Sequence, residues 1–293
     1  MRIQHLGAGL LMGSADAVPG ISGGTVALVI GIYQRLIGSI AIVLNYPRER
    51  DFEKLREPLT FLLPLGFGMA AAYWLVSRLL VGPAEAPGLL LQPESAVLCY
   101  GFFSGIVVAS LREPWHRISA PNREHSVLAM TGAAVTLILL DLPFMKSVPA
   151  DWMLLVGGAL ALTAMLLPGI SGALVLMMLG QYAVVAGAVH DLRLVPLLWF
   201  CSGGLVAALT VVPVLRRLLT EQLDRTLAVL TGVMAGSLRA LWPWKENYDM
   251  RTGDLSPLGA GTNWPEVLLA ALLGALVIVV LERLTRRETN RST

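Results

Sequence analysis

One proline–glycine break occurs twice within long apolar stretches, and it leaves few architectures open. Pro19-Gly20-Ile21-Ser22-Gly23 returns as Pro168-Gly169-Ile170-Ser171-Gly172. The first copy continues as Val26-Ala27-Leu28-Val29-Ile30-Gly31-Ile32-Tyr33, the second as Val175-Leu176-Met177-Met178-Leu179-Gly180-Gln181-Tyr182. Proline lacks the amide hydrogen that a helix needs, and glycine opens backbone angles closed to other residues. Inside a bilayer, such a break survives only where protein or a water-filled cavity surrounds it. Two breaks at matching places in two halves are the pattern of a transporter-like binding site.

Composition sets the class. Of the 293 residues, 55% are hydrophobic and 14% charged, against ~25% charged in soluble domains. Several apolar runs approach the ~20 residues of a spanning helix, and they lack the short alternating segments of an outer-membrane barrel. The expected fold is an all-α polytopic membrane protein. A net charge of +2 offers no basic surface for nucleic acid. Cys99 and Cys201 read as buried small hydrophobes. His5, His116, His125 and His190 lack zinc spacing, so no metal or other cofactor is expected. Arg2, an apolar run and Ala15-Asp16-Ala17 imitate a signal peptide. Leu154 to Leu167 is the same stretch in the second half, so both read as structural arms.

The repeat extends over the whole chain. Residues 1–145 hold a hairpin at about 3–32 and spans at about 58–80, 94–111 and 126–142; residues 146–293 hold a hairpin at about 152–182 and spans at about 195–215, 226–241 and 265–283. Gly101 and Gly105, with Leu111-Arg112 and Trp115, match Gly232 and Gly236, with Leu238-Arg239 and Trp242. These GxxxG pairs, with Gly13, Gly31 and Gly180, suit close helix contact. The second hairpin arms are short for a crossing, so both hairpins are predicted to be re-entrant. Three spans per half then make the repeats inverted. A short amphipathic piece from Gln34 to Leu44 and a solvated connector from Asn45 to Pro58 are expected to follow the first hairpin.

Loop charge orients the chain. One set of loops carries fourteen Lys and Arg residues, the other only Lys146, Arg193, Lys245 and Arg251. The positive-inside rule puts the first set and both termini in the cytoplasm. Trp152, Trp242, Trp244 and Trp264 then gather at the outer interface. Hairpin 1 enters from inside, hairpin 2 from outside, and their tips are expected to meet near the midplane.

The breaks also carry chemistry. The helix leaving each break starts with free amides bearing partial positive charge, an anion site that suits phosphate. Ser22 and Ser171 are good N-caps. Gly23, Gly24 and Gly172 let an anion approach the backbone, and Thr25 adds a hydroxyl in the first copy. Pro19, Gly20, Pro168 and Gly169 make the breaks. Asp16, an acid in apolar sequence, is a candidate site for a coupling H⁺ or Na⁺, or else caps a neighbouring helix end or sits at the wet interface. Met165 stands at its place in the second half. Arg112 and Arg239 are candidates for receiving phosphate at the two leaflets, or are interfacial anchors.

Gly13-Ser14-Ala15-Asp16-Ala17-Val18-Pro19-Gly20-Ile21-Ser22-Gly23-Gly24-Thr25, with Gly31-Ile32-Tyr33 and the second Pro168-Gly169-Ile170-Ser171-Gly172, resembles the bacterial polyprenyl-phosphate translocases, a family long catalogued as a domain of unknown function. The resemblance covers essentially the whole chain. It implies a flippase that returns undecaprenyl phosphate across the inner membrane for cell-wall biogenesis, among membrane lipids and without enzymatic activity. Asp16, Ser22, Gly23, Gly24, Thr25 and Ser171 are the site residues it implies. One rival is a membrane phosphatase acting on undecaprenyl pyrophosphate. Such enzymes carry an Arg after a similar Pro-Gly-x-Ser, where this chain has Gly23 and Gly172, and Glu49 and Glu53 lie in charged sequence away from the break. Another rival is a transporter of a small soluble anion, which a lateral opening for a prenyl tail would exclude.

Overall fold

The computed structural model describes residues 2–18, 20–80, 82, 88–145, 150–248 and 256–292. In the first half, α1 (Arg2–Asp16) runs into the break and α2 (Gly23–Val29) leaves it. Then come α3 (Tyr33–Glu49), α4 (Phe52–Leu80), α5 (Pro93–Ser110), the short α6 (Arg112–His116) and α7 (Arg123–Leu140). The second half keeps the order: α8 (Met153–Leu166), α9 (Gly172–Met178), α10 (Tyr182–His190), α11 (Leu194–Glu221) and α12 (Leu223–Ser237). A 3-10 turn (Leu238–Leu241) stands in the place of α6, before α13 (Trp264–Ser292). No strand occurs among the described residues.

Among the described residues, five helices are long and apolar enough to cross a membrane, or up to seven spans if each bent pair counts as one. α12 was expected to span. Its 15 residues rise about 22 Å, short of the ~30 Å hydrocarbon core. Leu227, Ala228, Leu230 and Met234 bury it within the bundle, so it has no wide lipid face to match. Leu63, Phe67, Trp74, Leu75, Leu198, Leu205, Leu269 and Leu272 are exposed on the longer helices. That is the outward face of a bundle whose solvent is lipid. Cys201 belongs to this face and is exposed, contrary to the buried position expected of it, while Cys99 is half-buried.

Four long pairings build the bundle: α1 on α4, α8 on α11, α5 on α13 and α12 on α7. Exchanging the halves maps the first pair onto the second and the third onto the fourth. The crossings run at glycine. A methyl group on Gly9 or Gly13 would strike a carbonyl of α4, one on Gly203 a carbonyl of α8, one on Gly105 a carbonyl of α13, and one on Gly232 a carbonyl of α7. Such close approach is how helices associate when lipid supplies no hydrophobic drive between them. Gly31 and Gly180 serve otherwise than expected. Their φ values of 82° and 66° turn the chain after α2 and α9, where α3 and α10 depart at 119° and 118°.

The expected connector from Asn45 to Pro58 is mostly helix. α3 continues to Glu49, Arg50 ends it in a left-handed conformation (φ 49°), and α4 opens at Phe52. The Asp51 carboxylate accepts the Glu53 amide at 3.1 Å, an N-cap that starts a helix in charged sequence. Charge there marks solvated helix ends rather than a loop.

Contacts link the entry and exit of each hairpin. His5, near the start of α1, packs edge-on against Phe61 at 5.0 Å between centroids. Arg35, just past α2, stacks on the same ring and pairs with Glu57. In the second half, Gln181, just past α9, donates its side-chain amide to the Met153 carbonyl at 3.1 Å, at the start of α8.

Candidate functional site

The two breaks have the same local form. Gly20 and Gly169 share a φ of 98°, a left-handed angle that other L-residues adopt only at a cost. The next serine, Ser22 or Ser171, is extended, and a seven-residue helix follows. The tips touch. Built onto Gly24, a Cβ would lie 3.4 Å from the Met165 carbonyl and 3.5 Å from the Pro168 nitrogen. The Tyr33 hydroxyl, past the first hairpin, donates to the Leu166 carbonyl at 2.6 Å. It thereby satisfies one of the acceptors that α8 leaves open where it stops. Ser22, Thr25 and Ser171 are all buried.

The tips differ in how their opening amides are satisfied. In α2, the Asp16 carboxylate accepts the Gly23 amide at 2.6 Å, the Ser22 hydroxyl accepts the Gly24 amide at 3.1 Å, and the Ser22 carbonyl takes the Thr25 amide. Of the roles weighed for Asp16, the helix cap is the one this structure shows. In α9, the hydrophobic Met165 packs where Asp16 packs in the first copy, against the opening glycine. Ser171 makes no side-chain cap, and the Gly172 and Ala173 amides have no partner among the described residues. One helix start therefore carries its own anion, and the other is open.

Thr25 differs from seven other helical threonines. Thr131, Thr136, Thr163, Thr210, Thr220, Thr226 and Thr231 each donate to the carbonyl four residues earlier. Thr25 lies in the first turn of α2, so the residue four back, Ile21, is outside the helix. Its hydroxyl is buried with no partner, as are His5 Nδ1 and Gln181 Oε1, an arrangement that costs ~1–3 kcal/mol in proteins and calls for an explanation.

The structure thus brings together Asp16, Gly20, Ser22, Gly23, Gly24, Thr25, Pro168, Gly169, Ser171 and Gly172 in two touching tips. Pro19 lies outside the described residues. The arginines are engaged elsewhere. Arg112 is exposed and donates to His116 at 3.0 Å. Arg239 pairs with Asp141 at 3.2 Å, although its neighbours Ala240 and Leu241 pack against Gly20. Sequence reading gave Tyr33 no role. Its recurrence as Tyr182 was the available signal.

Two halves exchanged by their packing, each with a broken hairpin, and two tips that touch inside an apolar bundle define a multi-pass α-helical membrane protein of the broken-helix type. The chain belongs to the VCA0040-like, undecaprenyl phosphate translocase-like family, whose model matches residues 12–256. A Vibrio cholerae protein named polyprenyl-phosphate transporter is 32% identical over 259 residues, covering 85% of this chain and 82% of that protein. A Staphylococcus aureus protein of the same name is 28% identical over 297 residues, covering 94% and 95%. No solved structure matches the chain.

Proposed function

We propose that this chain is a flippase that carries polyprenyl phosphate, with undecaprenyl phosphate as its substrate, across the bacterial inner membrane by alternating access. The carrying observation is the unequal pair of tips: an α9 start whose opening amides are unpartnered and, on the tip that touches the end of α8, a buried Thr25 hydroxyl without a partner. A phosphate monoester supplies the acceptors that the Gly172 and Ala173 amides, Ser171 and Thr25 lack. Ser22, Gly23 and Gly24 complete the cradle once Asp16 withdraws. H⁺ or Na⁺ on Asp16 weakens its hold on the Gly23 amide and couples the ion to substrate. The hairpins are re-entrant and the halves inverted, with both termini cytoplasmic. Inverted halves present the same tips to either leaflet in turn.

Lipid is favoured over a small soluble anion by the surface beside the tips. Met165, three residues before Pro168, is 45% exposed, as is Leu160. A prenyl tail can lie on this apolar face while its headgroup enters the cradle. Against a phosphatase stands the residue after each serine, a glycine, which offers no side-chain charge to a phosphoryl transition state.

A leaflet-resolved assay in proteoliposomes tests this. The wild type is expected to equilibrate polyprenyl phosphate between leaflets and to release no phosphate from polyprenyl pyrophosphate. Thr25→Val keeps the volume and removes the hydroxyl. It is expected to slow transport ~10-fold, as loss of one hydrogen bond to a charged group does, with thermal stability equal or higher. Pyrophosphate hydrolysis, or full transport by Thr25→Val, would refute the reading.

A further inference from the structure

Away from the cradle, one buried cation is unexplained. Lys245 follows the 3-10 turn and is 3% exposed. Its segment is pinned: Lys245 bridges Pro257, the Glu246 amide donates to Ser256, and the Leu258 amide donates to Trp244. The ammonium donates to the Ala240 carbonyl at 2.7 Å and stands 3.5 Å from the centre of the Tyr100 ring. Tyr100 is itself buried and stacks on Tyr248. No carboxylate pairs with Lys245 among the described residues.

Such a cation is costly. Removing an ammonium from water is repaid only by an anion or a full set of acceptors. Here one carbonyl and one ring face serve. Burial, reinforced by the charge of Arg239, pushes the ammonium's pKa down to about 7. Arg239 is the more accessible of the two, its side chain 21% exposed, and its partner Asp141 is 61% exposed.

Position relates these cations to the tips. The carbonyl that holds Lys245 belongs to Ala240, and Ala240 and Leu241 lie against Gly20. The Leu241 carbonyl accepts Ser104 from α5 at 2.9 Å. Val18 and Ile21 of the first tip, Leu174 and Met177 of the second hairpin, Tyr100, Ala240 and Leu241 form one buried cluster. Lys245 therefore stands behind the wall of the tips, on the side of the loop between the 3-10 turn and α13.

We propose that Lys245 and Arg239 form a receiving site for a phosphate monoester on that side of the hairpin tips. The proposal rests on the transport reading and adds a station to it. In the resting state, the Ala240 carbonyl and the Tyr100 ring hold the ammonium in place of an anion. A phosphate makes shorter and stronger bonds to both cations. Arg239 meets it first by leaving Asp141. Lys245 then turns from Ala240 to the phosphate, which loosens the turn against Gly20 as the headgroup arrives. A lipid headgroup and inorganic phosphate offer this same chemistry.

The test uses the full chain in vesicles, its orientation scored by protease access to the loop between the 3-10 turn and α13. Polyprenyl phosphate is supplied in one leaflet or the other. Lys245→Met keeps the apolar stem and removes the charge. It is expected to raise the half-saturating concentration ~10-fold for substrate on the loop side, and to change loading from the opposite side less than two-fold. Lys245→Arg is expected to recover most of the loss. Inorganic phosphate on the loop side is expected to compete in the wild type and not in Lys245→Met, and labelled phosphate is not expected to be carried across. Equal loading from both sides in Lys245→Met would overturn the site. So would an equal loss from both sides that Lys245→Arg leaves unrescued, since that is a packing role. If the wild type moves no lipid phosphate at all, the transport reading fails. Calorimetry with inorganic phosphate then decides the site alone: binding heat in the wild type that Lys245→Met lacks sustains it, and the same heat from both overturns it.

Discussion

Gly169→Ala is expected to abolish transport and to destabilise the protein by several kcal/mol, whereas Gly20→Ala, at the matching position, costs far less. Both glycines have a φ of 98°, so both substitutions incur the ~1–2 kcal/mol of a left-handed angle. The surroundings separate them. A Cβ on Gly169 would lie 2.7 Å from the Met234 Cα and 3.0 Å from its nitrogen. That is backbone within the buried α12, and it yields only by displacing the helix. Overpacking of this kind costs a further ~1–3 kcal/mol. A Cβ on Gly20 meets Leu241 Cδ2 at 3.1 Å and Ala240 Cβ at 3.4 Å, and the leucine can rotate away. Thermal unfolding of both variants in one detergent, beside their transport rates, gives the order. Equal losses, or a larger loss at Gly20, would contradict the packing described at the second tip.

Asp16 gives the second large effect. Asp16→Leu leaves the Gly23 amide buried without an acceptor, a loss of ~1–3 kcal/mol, and it removes the titratable group. It is expected to abolish transport and lower stability. Asp16→Asn keeps the shape and an acceptor oxygen for Gly23. It is expected to fold normally and to transport at a rate that no longer responds to pH or sodium. The contrast separates capping from coupling. If Asp16→Asn keeps the wild-type dependence on both, Asp16 is a cap alone and the coupling ion binds elsewhere.

These two residues also show what the sequence made legible. The breaks, the helix order and the equivalence of Gly20 with Gly169 follow from local chemistry, because proline and glycine act on their own backbone. Where charge was read as the end of helix, helix continues: Asp51 caps α4 within Asn45 to Pro58, and α11, read as ending near 215, runs to Glu221. The contacts of the tips were less accessible. That they touch was expected from the inverted reading of the halves, but that Tyr33 caps α8 was not, because it depends on residues 133 positions apart. Lys245 counted only as a basic residue in a loop. Its burial follows from the packing of Leu241, Lys245 and Tyr248 against Tyr100 and Ser104 of α5, which no local pattern encodes. The asymmetry of the two helix starts lay in plain view as Asp16 against Met165. Its consequence, one start filled and one open, needed the positions of the amides.

The most direct measurement is a structure of the full chain in lipid nanodiscs with polyprenyl phosphate bound. The phosphate is expected at the touching tips, with its oxygens ~3 Å from the Ser171 hydroxyl and the Gly172 and Ala173 amides and the Thr25 hydroxyl turned toward it. A phosphate bound elsewhere, with those amides and that hydroxyl still unpartnered, would contradict the account.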